Sequence, residues 1–196
     1  GLPNGIPGLA RCLRKLALTN CVTRALCVAW ALAASAIGQS APTLTHTDVF
    51  VSGKDGYHTY RIPAIEAAPD GSLIAFAEAR KYNADDPGFG RQDIDLVYKR
   101  STNNGATWSP MTVLEDPGEL WSAANAATVV DRTNRRFWVF YLRSRPGRST
   151  DTARPGTDDM QTLARGSDDN GQAWSEPLDL TAVARGQRAP AWRASV

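Results

Sequence analysis

Ser101-Thr-Asn-Asn-Gly-Ala-Thr-Trp108 is repeated, with changes, as Ser167-Asp-Asp-Asn-Gly-Gln-Ala-Trp174, 66 residues further along the chain. The Asn and Asp side chains of this octet can bond backbone groups two residues on, and Gly105 and Gly171 can adopt the positive φ that closes a hairpin turn. The tryptophan then returns to the sheet as a large apolar anchor. The octet therefore predicts a structural turn that occurs once in each repeated unit.

The sequence around the octets predicts an all-β chain. From Asp48 onward, short apolar runs are separated by turn residues, without any long stretch of helical period. A hairpin with a polar turn precedes each octet, so the repeat has four strands with the octet before the last. The predicted strands are residues 62–67, 72–79, 94–100, 111–114, 126–130, 136–142, 161–166 and 177–180.

The N-terminal 36 residues have a different composition from the rest. They contain four basic residues and no acid. All four basic residues precede an apolar run over residues 25–37. This run is shorter than the roughly 20 residues of a membrane-spanning helix, and it ends in the small-x-small pattern Ala34-Ser35-Ala36. We expect a signal peptide, with some upstream residues, that is cleaved near Ala36. A buried helix or a retained membrane anchor are the alternatives.

Export would leave the mature chain without cysteine, because Cys12, Cys21 and Cys27 all lie in this leader. The prediction is a secreted or periplasmic protein that has no membrane contact after cleavage and needs no disulfide or structural zinc.

The charge pattern excludes several classes of function. The chain has 22 Lys and Arg against 20 Asp and Glu, and the first 36 residues hold four of the basic residues and no acid. Residues 37–196 therefore have 18 basic against 20 acidic residues, a formal charge of −2, and this is no nucleic-acid footprint. His46 and His58 are isolated, and neither a metal-ligand cluster nor a Gly-rich phosphate loop is visible. We therefore expect no nucleic-acid partner, no metal and no cofactor.

The octet resembles the Asp-box of sialidases, Ser-x-Asp-x-Gly-x-Thr-Trp. Asn103 stands at the Asp position of the first copy, and Ala173 at the Thr position of the second. Asp-boxes occur in other β-propellers too, so they indicate a fold and leave the reaction open. A second motif points to one reaction. This motif, Tyr60-Arg61-Ile62-Pro63, resembles the Tyr/Phe-Arg-Ile-Pro signature that precedes the first Asp-box in sialidases. Two further segments support the likeness, residues 72–80 and 94–101.

Over about residues 46–180, the chain is thus similar to the exo-α-sialidase family. The resemblance implies a six-bladed β-propeller, of which this sequence holds about the first two four-stranded blades, residues 46–118 and 119–181. The tail, residues 182–196, loses the strand pattern. Such an N-terminal part would be a truncated fragment.

Sialic acid carries a carboxylate on its anomeric carbon, and a guanidinium binds a carboxylate through two parallel hydrogen bonds. The resemblance implies that Arg61 is the first of three arginines that do this and that Arg80 is a further pocket arginine. Asn125 aligns with a pocket residue of the second blade, although Ala126 and Thr128 replace the prolines of that family segment. A strand-end cap is the alternative for Asn125.

The family places its acid/base aspartate in the polar loop after Arg80. Glycoside cleavage needs a carboxylic acid that protonates the leaving oxygen and later activates water. Asp85 and Asp86 both have a spacing from Arg80 that family members use, and the sequence context favours Asp85. Trp121 either flanks the substrate or packs in the core. The long loop at residues 144–159 either overhangs the pocket or is disordered, so it is assigned no site residues.

The resemblance further implies retaining cleavage of terminal sialic acids from sialylated glycoconjugates, with a tyrosine nucleophile that a glutamate activates. In the family these groups and two more arginines come from later blades and have no candidates in this sequence, so the chain by itself is expected to be inactive. The alternatives are a noncatalytic Asp-box propeller module that binds glycans or proteins, or another hydrolase on the same propeller. The oligomeric state stays open.

Overall fold

The computed structural model describes residues 44–185. The chain divides into Gly1–Thr45 and His46–Val196, and the expected signal peptide lies outside the described residues. Over the described range the protein is all-β apart from one terminal helical turn. The elements are β1 (Thr59–Ala67), β2 (Leu73–Arg80), β3 (Ile94–Ser101), β4 (Thr112–Glu115), β5 (Ser122–Asp131), β6 (Arg136–Ser144), β7 (Met160–Ser167), β8 (Leu178–Asp179) and α1 (Thr181–Arg185).

All eight predicted strands are present, with ends shifted by a few residues. The largest shift is in β5, which begins at Ser122 and so contains Asn125 within the strand. The predicted repeat is also confirmed, because each octet joins the third and fourth strands of its unit. The described part of the tail lies in the short helix α1.

Two antiparallel four-stranded meanders, β1–β4 and β5–β8, form the two blades. Within each blade the strands pair in sequence order. A single parallel bridge between Ile94 and Ser122 joins β3 to β5, so the eight strands form one sheet. No helix among residues 44–185 is long and apolar enough to span a membrane.

The main core lies between the two blades. Strand alternation sends Ile74, Phe76 and Leu96 of the first blade against Phe137, Val139 and Tyr141 of the second, and all six are essentially fully buried. Trp174 of the second octet packs edge-on against Phe76, Tyr98 and Phe137. The predicted anchor role of Trp174 therefore extends to the junction of the blades.

Within each octet, the hydrogen bonds that close the turn join residues farther apart in sequence than predicted. Asn103 Oδ1 accepts from the backbone N–H of Thr107 at 2.9 Å, and Asp169 Oδ1 accepts from that of Ala173 at 2.8 Å, so each bond spans four residues instead of two. The octet serines accept from the glycine N–H groups at 2.9 and 2.8 Å. Gly105 and Gly171 have the expected positive φ, 83° and 81°.

Candidate active site

A cavity of about 340 Å³ opens where the two blades meet. Its lining comes from β1, β2, β5, β6 and β7 and from two loops, residues 81–93 and 144–159. The lining residues that bear on its chemistry are Arg61, Glu78, Arg80, Asp86, Asn125 and Asp151. Four of the five predicted site residues, Arg61, Arg80, Asp86 and Asn125, thus line one cavity.

Matching β-bulges shape the cavity from both blades. The pairing of β1 with β2 shifts between Arg61 and Ala64, and that of β5 with β6 shifts between Ala124 and Ala127. A residue with positive φ lies in each bulge, Ile62 at 51° and Asn125 at 58°. A β-branched residue rarely adopts this conformation, and such strain is stored mostly at functional sites. The bulges re-aim the strands toward the cavity.

Arg61 presents a guanidinium to the cavity. Its side chain is 41% exposed. Nη1 donates to Asp86 Oδ1 at 2.7 Å and to the carbonyl oxygen of Ala84 at 3.0 Å. Both bonds use the same nitrogen, and within residues 44–185 Nε and Nη2 have no hydrogen-bond partner, so they can donate to a ligand.

Arg80 also lines the cavity, but its side chain is only 2% exposed. Its Nη1 donates to the carbonyl oxygens of Ala84 and Asp85 at 2.7 and 2.6 Å. Its Nε donates to Glu78 Oε2 at 3.1 Å, and Nη2 contacts both Glu78 Oε2 and Asp86 Oδ1. Arg80 is thus bound tightly to protein groups, while Arg61 is the more accessible of the two cations.

The structure separates the two candidate acids. Asp86 lines the cavity and bridges Arg61 and Arg80. Asp85 is absent from the lining, and its carboxylate lies so close to Gly90 that a Cβ at Gly90 would overlap Oδ2. Gly90 has a φ of +57°, which favours glycine for a second reason. The sequence context favours Asp85, whereas position favours Asp86.

The loop at residues 144–159 is ordered and covers one side of the cavity with Ser149, Thr150 and Asp151. Buried Asp159 holds it, accepting from the backbone N–H of Arg154 at 3.0 Å and from its Nε at 2.8 Å. These hydrogen bonds hold the pKa of Asp159 well below its usual range. The loop packs tightly on its neighbour, since a Cβ at Gly88 would lie 2.6 Å from backbone atoms of residues 148 and 149.

Trp121 is not among the residues that line the cavity. It is half-buried, and the Arg145 guanidinium lies 5.2 Å from the centre of its ring. Of the two expected roles, the packing role fits this position.

Glu78 is the cavity residue that sequence reasoning missed. Its side chain is 1% exposed, and its position two residues before Arg80 puts both on one face of β2. The alternation of side chains along a strand could therefore have identified Glu78 as a neighbour of Arg80. Among residues 44–185, no group of three His, Cys, Asp or Glu side chains could hold a metal ion.

Comparison with known proteins adds to this geometry. No protein-family model matches the chain. A sialidase of Micromonospora viridifaciens is 30% identical over 161 residues, which cover 78% of this chain and 24% of that protein. An exo-alpha-sialidase of Aspergillus fumigatus is 33% identical over 145 residues, covering 64% of this chain and 34% of the relative.

A solved structure gives the same result for the fold. The Hadza microbial sialidase Hz136 superposes with a TM-score of 0.60 and 29% identity, covering 66% of this chain and 27% of that structure. The chain spans about a quarter to a third of the length of the relatives it matches.

Proposed function

Because the chain is related to the exo-α-sialidases over part of its length, we propose that it forms two blades of a sialidase propeller and part of the sialic acid site. The similarity covers a smaller share of the relatives than of this chain. The proposed reaction of the whole propeller is hydrolysis of terminal sialic acids from glycoconjugates.

The observation that carries this proposal is the Arg61 guanidinium, exposed in the cavity with donors to spare. A guanidinium pairs with a carboxylate through two parallel, charge-assisted hydrogen bonds. Sialic acid differs from neutral sugars in having such a carboxylate on its anomeric carbon. Arg61 would therefore bind the group that defines this substrate.

Asp86 is the proposed acid/base residue, and Asp85 is the alternative. Asp86 lies in the cavity beside the guanidinium that would hold the anomeric carboxylate, which keeps its own carboxylate near the scissile bond. Proton transfer requires this closeness before any tuning of acidity. Retaining cleavage through a tyrosine nucleophile is the finer part of the proposal.

We expect this chain alone to bind sialic acid without hydrolysing it. Among the described residues, the cavity lining contains no tyrosine, so the proposed nucleophile has no counterpart there. Incubation of the purified chain with a fluorogenic sialoside tests this expectation, and turnover above background would contradict it.

The binding test is a titration of the purified chain with sialic acid, followed by NMR. Arg61→Lys should weaken binding by roughly tenfold or more, because an ammonium cannot form the paired bonds of a guanidinium. Arg132→Lys, at an exposed turn outside the cavity, is the control and should bind like the unchanged chain. Equal binding of galactose, which lacks a carboxylate, would instead favour the noncatalytic glycan-binding module.

Export remains part of the proposal, resting on the basic and apolar segments of residues 1–37. Expression in a secreting host should yield a mature protein whose first residue lies just after Ala36. N-terminal sequencing checks this, and a retained leader would contradict it.

A further inference from the structure

We propose that Glu78 is a positioning residue of this cavity, which holds Arg80 with one carboxylate oxygen and the backbone of Asn125 with the other. The inference rests on the proposed function, since it concerns the same site. Glu78 would thereby fix the position of Arg80 in the first blade relative to Asn125 in the second.

The first oxygen immobilises Arg80. Glu78 Oε2 accepts from Arg80 Nε at 3.1 Å and also contacts Nη2. A guanidinium has five N–H donors. Two of those of Arg80 point to Glu78, two to the carbonyl oxygens of Ala84 and Asp85, and one to Asp86. Every donor is thus directed at a protein group, and Arg80 ties the acid-bearing loop to β2.

The second oxygen reaches across the junction of the blades. Glu78 Oε1 accepts from the backbone N–H of Asn125 at 3.0 Å. This N–H lies in the β5 bulge, where the register shift takes it out of the ladder with β6. A buried backbone donor without a partner is costly. Glu78 supplies that partner and so stabilises the positive φ of Asn125.

Charge makes this arrangement sensitive to protonation. Burial raises the pKa of Glu78 above that of an ordinary glutamate, although the Arg80 and Asn125 hydrogen bonds oppose the rise. The charged groups beside it are Arg61, its cross-strand partner on β1, Arg80 on β2, and Asp86 in the loop. Asp151 of the loop at residues 144–159 lines the same cavity. Leu96 of β3 and Asn125 of β5 add no charge. Protonation would weaken the hold on both Arg80 and the bulge.

The first test follows the Asn125 amide proton of the unchanged full chain by NMR as the pH is lowered. Its chemical shift should follow a titration whose midpoint lies above the ordinary glutamate value of about 4.3. No ligand or variant is needed. A shift that stays constant, or that titrates at or below the ordinary value, would overturn the proposal.

The second test uses Glu78→Gln, which keeps size and an acceptor but removes the charge. The Asn125 titration should vanish, and sialic acid affinity should fall roughly tenfold, as expected for loss of a charge-assisted bond that positions the site. In the unchanged chain, sialic acid affinity should fall as the pH is lowered through the Glu78 titration. The affinity of the variant should not show this pH-dependent step. Glu119→Gln, an exposed control, should leave both unchanged.

The two proposals fail differently. If the unchanged chain does not bind sialic acid, the proposed function fails, while the Asn125 titration still tests Glu78. If the chain binds sialic acid and Glu78→Gln retains both its affinity and its pH profile, Glu78 has only a packing role and the inference is wrong. Should the variant fail to fold, the titration of the unchanged chain decides.

Discussion

Arg61 and Arg80 show how one residue type takes two roles in a single cavity. Arg61 lies beside a bulge on the first strand, where its side chain is 41% exposed, whereas Arg80 ends β2 and is 2% exposed. Burial of a guanidinium requires partners for its donors, and Glu78 with the loop carbonyls provides them. Arg61 is therefore the better candidate for ligand contact, and Arg80 for support.

The two aspartates should respond differently to neutralisation. Asp86 competes with an anionic ligand for Arg61, so Asp86→Asn should strengthen sialic acid binding by the chain about two- to fivefold, the scale of an exposed ion pair. Asp85→Asn should have no such effect, because its carboxylate lies outside the cavity lining. Calorimetric titration of both variants measures this. Stronger binding by Asp85→Asn alone would reverse the assignment.

At the scale of elements, the octets keep their bonding pattern although each departs from the Asp-box. Asn103 replaces the aspartate, yet its Oδ1 accepts the same backbone bond, and its Nδ2 donates to Thr107 Oγ1 at 2.8 Å. In the second octet Asp169 is retained and Ala173 lacks a hydroxyl. The turn depends on the side-chain oxygen and the glycine, which both copies share.

The two octet glycines differ in their surroundings, which gives a matched pair of variants. Gly105→Ala should cost about 1–2 kcal/mol, the penalty of a side chain at positive φ, because its Cβ would meet Leu73 and Trp108 at an ordinary 3.7 Å. Gly171→Ala should cost about 1–3 kcal/mol more, because its Cβ would overlap fully buried Ile74. Urea denaturation measures both. Equal losses would contradict the packing described at Gly171.

The loop at residues 144–159 should depend on Asp159 and not on its neighbour. Asp159→Ala removes the acceptor of the Arg154 N–H and should speed hydrogen exchange there, whereas Asp158→Ala removes an exposed ion pair with Arg145 and should change that rate little. Amide exchange by NMR provides the measurement. Unchanged protection in Asp159→Ala would show that other contacts hold the loop.

The same carboxylate predicts a pH dependence. The Arg154 hydrogen bonds hold the pKa of Asp159 below its value in an unfolded chain, so the folded loop binds a proton less readily than the unfolded one. The stabilisation of the loop by ionised Asp159 is therefore present above about pH 4. It is lost only as the pH falls through the lowered pKa of Asp159. Loss of Arg154 protection already between pH 7 and 5 would contradict this.

At the scale of the molecule, a buried polar cluster joins the blades in addition to the apolar core. Glu115 of β4 accepts from Tyr141 Oη at 3.0 Å, from Arg143 Nη1 at 3.2 Å and from Arg165 Nη2 at 2.5 Å. One first-blade carboxylate thus satisfies three second-blade donors. Burial together with this carboxylate raises the pKa of the Tyr141 hydroxyl.

Removal of Glu115 should loosen the junction of the blades. Glu115→Ala would leave two partly buried guanidinium groups and a buried hydroxyl without their acceptor, and should cost about 3–5 kcal/mol. Glu176→Ala, an exposed control, should stay within about 0.5 kcal/mol of the unchanged chain. Chemical denaturation followed by circular dichroism compares them. A loss below about 1 kcal/mol would assign blade cohesion to the apolar core.

Local sequence was sufficient for the strands, the repeat and the octet turns, because alternation, turn residues and a glycine at positive φ act over a few neighbouring positions. A contiguous sequence motif also singled out Arg61, although the bulge that follows it in β1 was not predicted. Tertiary structure alone decided which aspartate enters the cavity, since side-chain direction in an irregular loop follows no period.

Tertiary structure also decided that the loop at residues 144–159 is ordered and that Glu78 meets Asn125, 47 positions away. Both depend on contacts between segments distant in sequence, and such contacts exist only after the two blades have packed against each other.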